Sequence, residues 1–413
     1  MGIVLCFIPL ALLTGPFLPD LFVSITVLLF IYLSIKEKLW SYYNNKFFIF
    51  FICFYAYFIV SSLLSENVLF SLESSFFYFR FGIFTLAVWY LLESDKNLNK
   101  RFALYLIITF SLAILDGYWQ YFFGDSIFGY ESNSPNRMTL TFNDKMILGG
   151  YLARLYPFLF ALMILNYSHN KNFILLIFIF LILIDCLTFL TGERTALGLL
   201  ALFTIMVLFL TSQYKMLRLI TIIISIIVLS FIALTNNSLK HRNIDVTINQ
   251  IVNSSNDSNY LTYFTPNHQS LATTSIKIYK DHLIFGSGPK QFRILCDKYA
   301  ITDAYKFCST HPHNSYLQLA SETGTIGILF IIIPFIFISV ILFKHLLKKI
   351  SGKQDILSDY QVILLICIFL TLWPILPTQN FFNNWINVIY YLPLGFLLQS
   401  LNKDKKINLK KLM

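Results

Sequence analysis

The feature that most constrains this chain is a series of apolar segments, each close to the length that crosses a bilayer. Twelve can be marked, at roughly 2–18, 20–35, 47–64, 73–92, 101–123, 145–166, 172–190, 194–210, 217–234, 313–342, 360–376 and 384–400. About 20 mostly apolar residues suffice to span the hydrocarbon core. Amides in lipid must be satisfied within their own segment, so each stretch is read as a helix. The first two are short and punctuated by Pro9, Pro16 and Pro19, so a single re-entrant hairpin is the alternative there. Only 13% of the 413 residues are charged, against the roughly 25% of a soluble domain. That excludes an ordinary soluble enzyme, a disordered protein and a disulfide-stapled secreted domain. The expected fold is an all-α polytopic membrane protein with about twelve transmembrane helices and one large extracytoplasmic loop domain.

The net charge of +10 does not point to nucleic acid here, because basic residues in short loops set membrane topology. With the N-terminus in the cytoplasm, eighteen Lys and Arg residues fall in cytoplasmic segments, from Lys36 to Lys411 and including Lys171 and Arg218. Three (Arg137, Lys145 and Arg194) fall in short outer loops. Both termini are therefore expected inside, in a bacterial inner (cytoplasmic) membrane. Residues 1–234 carry helices one to nine, 235–312 form a periplasmic loop domain, 313–400 carry helices ten to twelve, and 401–413 are a basic tail. Met1–Leu18 lacks a basic start and an A-x-A-like end, so it is read as a retained span. The outer loop contains a polar cluster at Asn253–Asn259 and an amphipathic stretch at Ala272–Phe285.

Charges inside spans are rare and usually functional. Arg80, Asp116, Arg154, Asp185, Glu193, Arg194 and Glu322 all lie in the outer or middle depth of their segments, with Arg154 and Glu322 expected deepest. That bias suggests a polar cavity opening outward. The alternative is structural pairing, such as Arg80 with Asp116. Pro312 suits a helix start, which puts His313 in the first turn. Leu317, Ala320, Gly324 and Gly327 would then follow His313 on one face, the glycines allowing close helix approach. A neutral histidine at the interface can accept a proton from a hydroxyl. His311 is the alternative base, and a capping role for His313 is the structural alternative.

His313-Asn314, nine residues and then Gly324-x-x-Gly327 resemble the His motif of the O-antigen ligase and O-antigen polymerase superfamily. Thr191-Gly-Glu-Arg-Thr-Ala196 resembles its arginine motif, Phe285–Arg293 its G-x-G loop segment, and Phe142–Gly149 a further segment of some members. The four occur in the family's order, over roughly residues 130–345.

This resemblance implies a metal-independent membrane glycosyltransferase without cofactors. It would move a glycan from an undecaprenyl-diphosphate donor to an acceptor hydroxyl, either on a lipid A-core sugar or on a second lipid-linked repeat. Arg194 would hold the diphosphate, oriented by Glu193, and His313 would deprotonate the acceptor, with Asn314, Gly324 and Gly327 in the surrounding motif. Arginine suits this task because its fork matches phosphate oxygens. The family's further loop arginine has no counterpart in Pro266–Lys277. His268 could stand in for it, or Lys277, Lys280, Lys290 or Arg293 could supply the charge, with Arg80 and His311 as further substrate contacts. Cys296 and Cys308 lie twelve positions apart in the outer loop, where a disulfide is expected. A transporter or flippase, with Gly149-Gly150 and Pro157 lining a path, is the competing class.

Overall fold

The computed structural model describes the chain except residues 131–137, 143–146, 168–170, 236–244, 246–247, 249–264, 301–305, 353–355 and 413, and only the backbone of 171–172, 235 and 404–412. The Asn253–Asn259 cluster, Arg137, Lys145 and part of Phe142–Gly149 lie outside the described residues.

The protein is 80% helical, with no strand among the described residues. Its helices are α1 (Gly2–Leu13), α2 (Phe17–Lys36), α3 (Lys46–Leu63), α4 (Val68–Ser75), α5 (Phe79–Ser94), α6 (Leu98–Phe123), α7 (Leu148–Tyr167), α8 (Lys171–Leu190), α9 (Arg194–Leu210) and α10 (Lys215–Thr235). Then follow α11 (Pro266–Asp281), α12 (Phe292–Tyr299), α13 (Ser315–Ile350), α14 (Asp359–Thr371) and α15 (Asn384–Leu412). Among the described residues, eight helical stretches are long and apolar enough to cross a membrane. The α4–α5 pair forms one of them, Val68–Ser94. The apolar helices α1, α9 and α14 are shorter, at 12, 17 and 13 residues. Each apolar segment marked in the sequence thus contains a helix. The segment 360–376 is helical only to Thr371, and its continuation 372–383 is an irregular strip.

α7 is the hub, buried nearly all round between α6, α8, α9 and α14. By contrast α10 and α13 turn isoleucines, leucines and phenylalanines outward, including Ile223, Ile227, Ile333 and Phe337. An apolar surface of that kind is stable only against lipid.

α11 and α12 form a small cap over one end of the bundle, here termed the loop face. Thr265 begins α11 by accepting the His268 N–H, with Pro266 preset for the first turn. Leu271, Ile278, Phe292, Leu295 and Cys296 make the cap's own core, and Cys296 is disulfide-bonded to Cys308 as expected. The amphipathic helix starts earlier than Ala272, at Pro266, because Thr265 and Pro266 supply its start.

Four expectations fail here, for local reasons. First, α13 starts at Ser315, capped by the Asn314 side chain, which accepts the N–H groups of Tyr316 and Leu317. His313 therefore precedes the helix. Second, α13 is broken at Gly324 (φ 66°, ψ −166°). A Cβ there would lie 2.3 Å from the Ile284 carbonyl oxygen, so the turn before Gly286 is docked into the break. The single face running from His313 through Gly327 does not exist, and Gly324 and Gly327 pack backbone and Thr323 instead of lining a cavity. Third, Glu322 is not deep. It lies under the G-x-G turn, where its carboxylate accepts the Phe292 N–H (3.1 Å) and Gln318 Nε2 (3.0 Å). Fourth, Arg218 is not a cytoplasmic loop residue. It is fully buried and bonded to Asp185 (2.7 Å), Tyr156 and Thr204. Asp185 is thereby taken from the outward-opening cavity. Arg80 pairs with Asp20 (2.7 Å) rather than Asp116, whose carboxylate holds Ser126 and the Ile127 N–H.

Candidate active site

The loop face brings together residues that are distant in sequence. The turn Thr191-Gly192-Glu193 links α8 to α9, with Gly192 at φ 68°, where a side chain would be strained. Arg194 is the first residue of α9. Glu193 does not orient it. The Glu193 carboxylate accepts the N–H groups of Gly149 (2.7 Å) and Gly150 (2.9 Å) at the start of α7. An anion is stabilised there by otherwise unsatisfied amides and the helix dipole. The glycines are required, since a Cβ on Gly149 would lie 2.6 Å from Thr191 Oγ1 and 2.9 Å from Glu193 Cβ. Gly149 and Gly150 therefore serve a turn-to-helix contact. Burial pushes the Glu193 carboxyl up to about 7, opposed by the two amides and by the Arg154 charge.

One turn along α7, Arg154 bonds the Gly150 carbonyl through Nη1 (3.2 Å). Its Nε is buried without a partner among the described residues. A buried guanidinium nitrogen without an acceptor is costly, and a ligand oxygen would relieve it.

His313 is held in a left-handed conformation, φ 53°, at a cost on the order of 1–3 kcal/mol. Its neighbours enforce it. The His313 carbonyl accepts the Thr378 N–H (2.8 Å), and Asn314 donates from Nδ2 to the Pro374 carbonyl (2.8 Å) while capping α13. The ring Nε2 is 3.3 Å from Ser309 Oγ. The His311 and His268 rings lie 4.1 and 5.8 Å from the His313 ring, centroid to centroid. Burial lowers all three imidazoles below an ordinary histidine's 6.5. It takes His268 to about 4, helped by His313 and Arg194, and His311 to about 3, helped by His313 and Arg293. All three are neutral at pH 7, and a neutral imidazole is the form that accepts a proton. Among the described residues, no three His, Cys, Asp or Glu side chains group in a metal-binding arrangement.

His313, His268, Arg194, Arg154 and Glu193 line one open cavity of about 390 Å³, floored by Thr265, Pro377, Thr378 and Gln379. Arg80, Lys290 and Arg293 do not reach it. They line a second cavity of about 490 Å³ beside it, across the strip that carries Thr378 and Asn380. Asn314 supports His313 from below. Sequence reasoning counted Arg154 among the charges of an outward-opening cavity but gave it no substrate role, and it missed Thr265, Thr378 and Gln379 altogether. The polar run Thr378-Gln-Asn-Phe-Phe-Asn-Asn384 between two apolar segments was the available signal, since amides so close to a bilayer need partners.

Residues 176–332 match the family described as O-antigen ligase. This stretch runs from within α8 to the upper part of α13 and so contains both Arg194 and His313. The match supports the O-antigen ligase/polymerase superfamily, which the motifs resemble, over this stretch. A comparison with curated proteins finds no match. The matched domain supports a glycan ligase or polymerase type for this multi-pass membrane protein, the general class that the motifs implied. Arg154, Thr378 and the Arg80 cavity wall come from outside the O-antigen ligase segment.

Proposed function

We propose that the protein transfers a glycan from an undecaprenyl-diphosphate donor to an acceptor hydroxyl at the loop face, which faces the periplasm. The observation that carries this reading is the shared cavity of His313, Arg194 and Arg154, drawn from α13's start, α9's start and α7. Arg194 and Arg154 would hold the donor diphosphate, Arg154 using its free Nε. Of the candidates for the family's further arginine, His268 is the one that lines this cavity, so in this reading the diphosphate would meet a neutral hydrogen-bonding ring in its place.

In the proposed step, the acceptor hydroxyl attacks the anomeric carbon of the donor sugar and its proton passes to the His313 imidazole. The bond from that carbon to the diphosphate oxygen breaks, and undecaprenyl diphosphate leaves with the electron pair. The guanidinium groups stabilise the charge that grows on the leaving oxygen. The strained His313 backbone fixes the base relative to these cations. An apolar groove between α3, α13 and α14, lined by Phe50, Phe54, Phe330, Pro334 and Tyr390, suits the prenyl chain. Phe381 and Tyr390 of this groove and Thr378 of the active cavity line one small gap between them. The excess of basic residues at the opposite ends of the helices supports the outward orientation.

The test is complementation of a strain lacking this gene, read as glycan on gels, with His313→Ala and Arg194→Ala. Both variants should accumulate as membrane protein yet yield no transferred glycan. Unchanged glycan from both would remove the reading.

A further inference from the structure

The second cavity is a site of its own. It lies between the loop-face ends of two membrane-spanning stretches, Phe17–Lys36 and Val68–Ser94, and the turn that leads into α12. Its cations outnumber its carboxylates: Arg80, Lys290 and Arg293 against Asp20 and Glu73. Arg80 is paired with Asp20 and Lys290 with Glu73, each at 2.7 Å. Arg293 makes no ion pair among the described residues. It rests against the Phe70 ring, and its Nε is buried without a partner, as is the Nε of Arg80. Two guanidinium nitrogens with unused donors beside a cavity of this size call for oxygen acceptors, and the excess charge calls for an anion.

The mouth shows where that anion would come from. Phe77 lines the cavity yet is 55% exposed, its ring lies 5.2 Å from that of Phe76 (52% exposed), and Phe17, next to the lining Pro16, is 73% exposed. A cavity with one exposed phenylalanine in its wall and two more next to its wall residues, at the ends of two spans, lies against lipid. A soluble phosphate gains nothing from such surroundings, whereas a phosphorylated lipid buries its chain there. This cavity also lies across the Thr378–Asn380 strip from the His313 cavity. A headgroup held in it would extend its sugar toward that base.

We infer that the Arg80–Lys290–Arg293 cavity binds the phosphate or diphosphate group of a second, membrane-anchored glycolipid, the acceptor. This rests on the glycosyl-transfer reading above. Two sources share the chemistry: a second polyprenyl-diphosphate glycan, and a phosphorylated lipid A-type glycolipid.

The test uses the full chain in phosphatidylcholine nanodiscs, titrated with labelled undecaprenyl diphosphate, and in a second arm with diphosphorylated lipid A added. The wild type should take two phosphorylated lipids. If both equivalents are undecaprenyl diphosphate and lipid A displaces neither, the acceptor is a second polyprenyl carrier. Lipid A replacing one equivalent assigns the acceptor to the lipid A type. Arg293→Gln and, separately, Lys290→Gln should weaken one equivalent by about tenfold or more and leave the other. Arg194→Gln should weaken only the remaining one. A single equivalent in the wild type, or two that neither Arg293→Gln nor Lys290→Gln weakens, overturns the inference. Two equivalents that ignore Arg194→Gln count instead against the proposed donor site.

Discussion

Arg218 and Arg154 are both buried guanidiniums among apolar helices, and they are put to different uses. Arg218 donates to acceptors already in place: Asp185, the Tyr156 hydroxyl and the Thr204 hydroxyl. Arg154 has a carbonyl on one nitrogen, none on Nε, and a cavity of about 390 Å³ in front of it. The first arginine is a structural bolt between α8, α9 and α10, and the second is arranged for an incoming anion. A charge in a membrane segment therefore does not identify a site; its unused hydrogen-bonding capacity does.

This contrast can be broken by mutation. On the cavity side, the largest effect is expected for His313→Ala, which should cut glycan transfer by roughly 10²–10⁴-fold, the usual contribution of a general base. Its thermal unfolding in detergent should match the wild type; a parallel loss of folded protein would make His313 structural. On the bolt side, Arg218→Ala leaves Asp185 buried and unpaired and should cost about 3–5 kcal/mol, read as a lower Tm and less protein in the membrane. The double change Arg218→Met with Asp185→Leu should recover most of that, because removing both charges removes the penalty of an unpaired one. Arg154→Met should leave the Tm near wild type while weakening transfer, the reverse of the Arg218 pattern.

Smaller effects sharpen the picture. Gly149→Ala forces a Cβ against Thr191 and Glu193 and should cost about 1–3 kcal/mol, with transfer falling because Arg194 follows Glu193. The smallest is in pH. Burial lowers His313, so the acid limb of the transfer rate should fall below 6.5, the value of a free imidazole. For stability the sign is the same. The unfolded chain binds protons at His268 and His311 near 6.5, while the folded one does so only near 4 and 3. Their contribution is therefore complete above 6.5 and is lost as pH falls from there toward those values. A transfer optimum displaced to acid by His313→Ala, with rate retained, would contradict the assignment.

The helical fold was legible because lipid leaves a chain of this composition few alternatives. Cys296 and Cys308 paired as compartment and spacing suggested. Arg194 and His313 came from motifs, and they do share a cavity. What stayed illegible depended on backbone breaks and on partners far off in the chain. Gly324 reads as a packing glycine within a helix, and only the docked turn at Ile284–Gly286 reveals it as a break. Hydropathy cannot tell a loop arginine from a buried one when the difference is a single helical turn, as at Arg218. Glu193 and Arg194 are adjacent in sequence, yet the carboxylate is taken by two amides more than forty positions upstream. Residues 372–376 looked like the end of a span, yet they belong to the irregular strip 372–383, whose later part stands between two cavities.

The central claim is that binding and proton transfer are divided between Arg194 with Arg154 on one side and His313 on the other. The direct measurement is donor binding and single-turnover transfer by the purified full chain in nanodiscs, using its lipid-linked glycan. His313→Ala should bind the donor as the wild type does and transfer almost nothing, while Arg194→Gln should bind it more weakly. Transfer at the wild-type rate by His313→Ala would contradict the account.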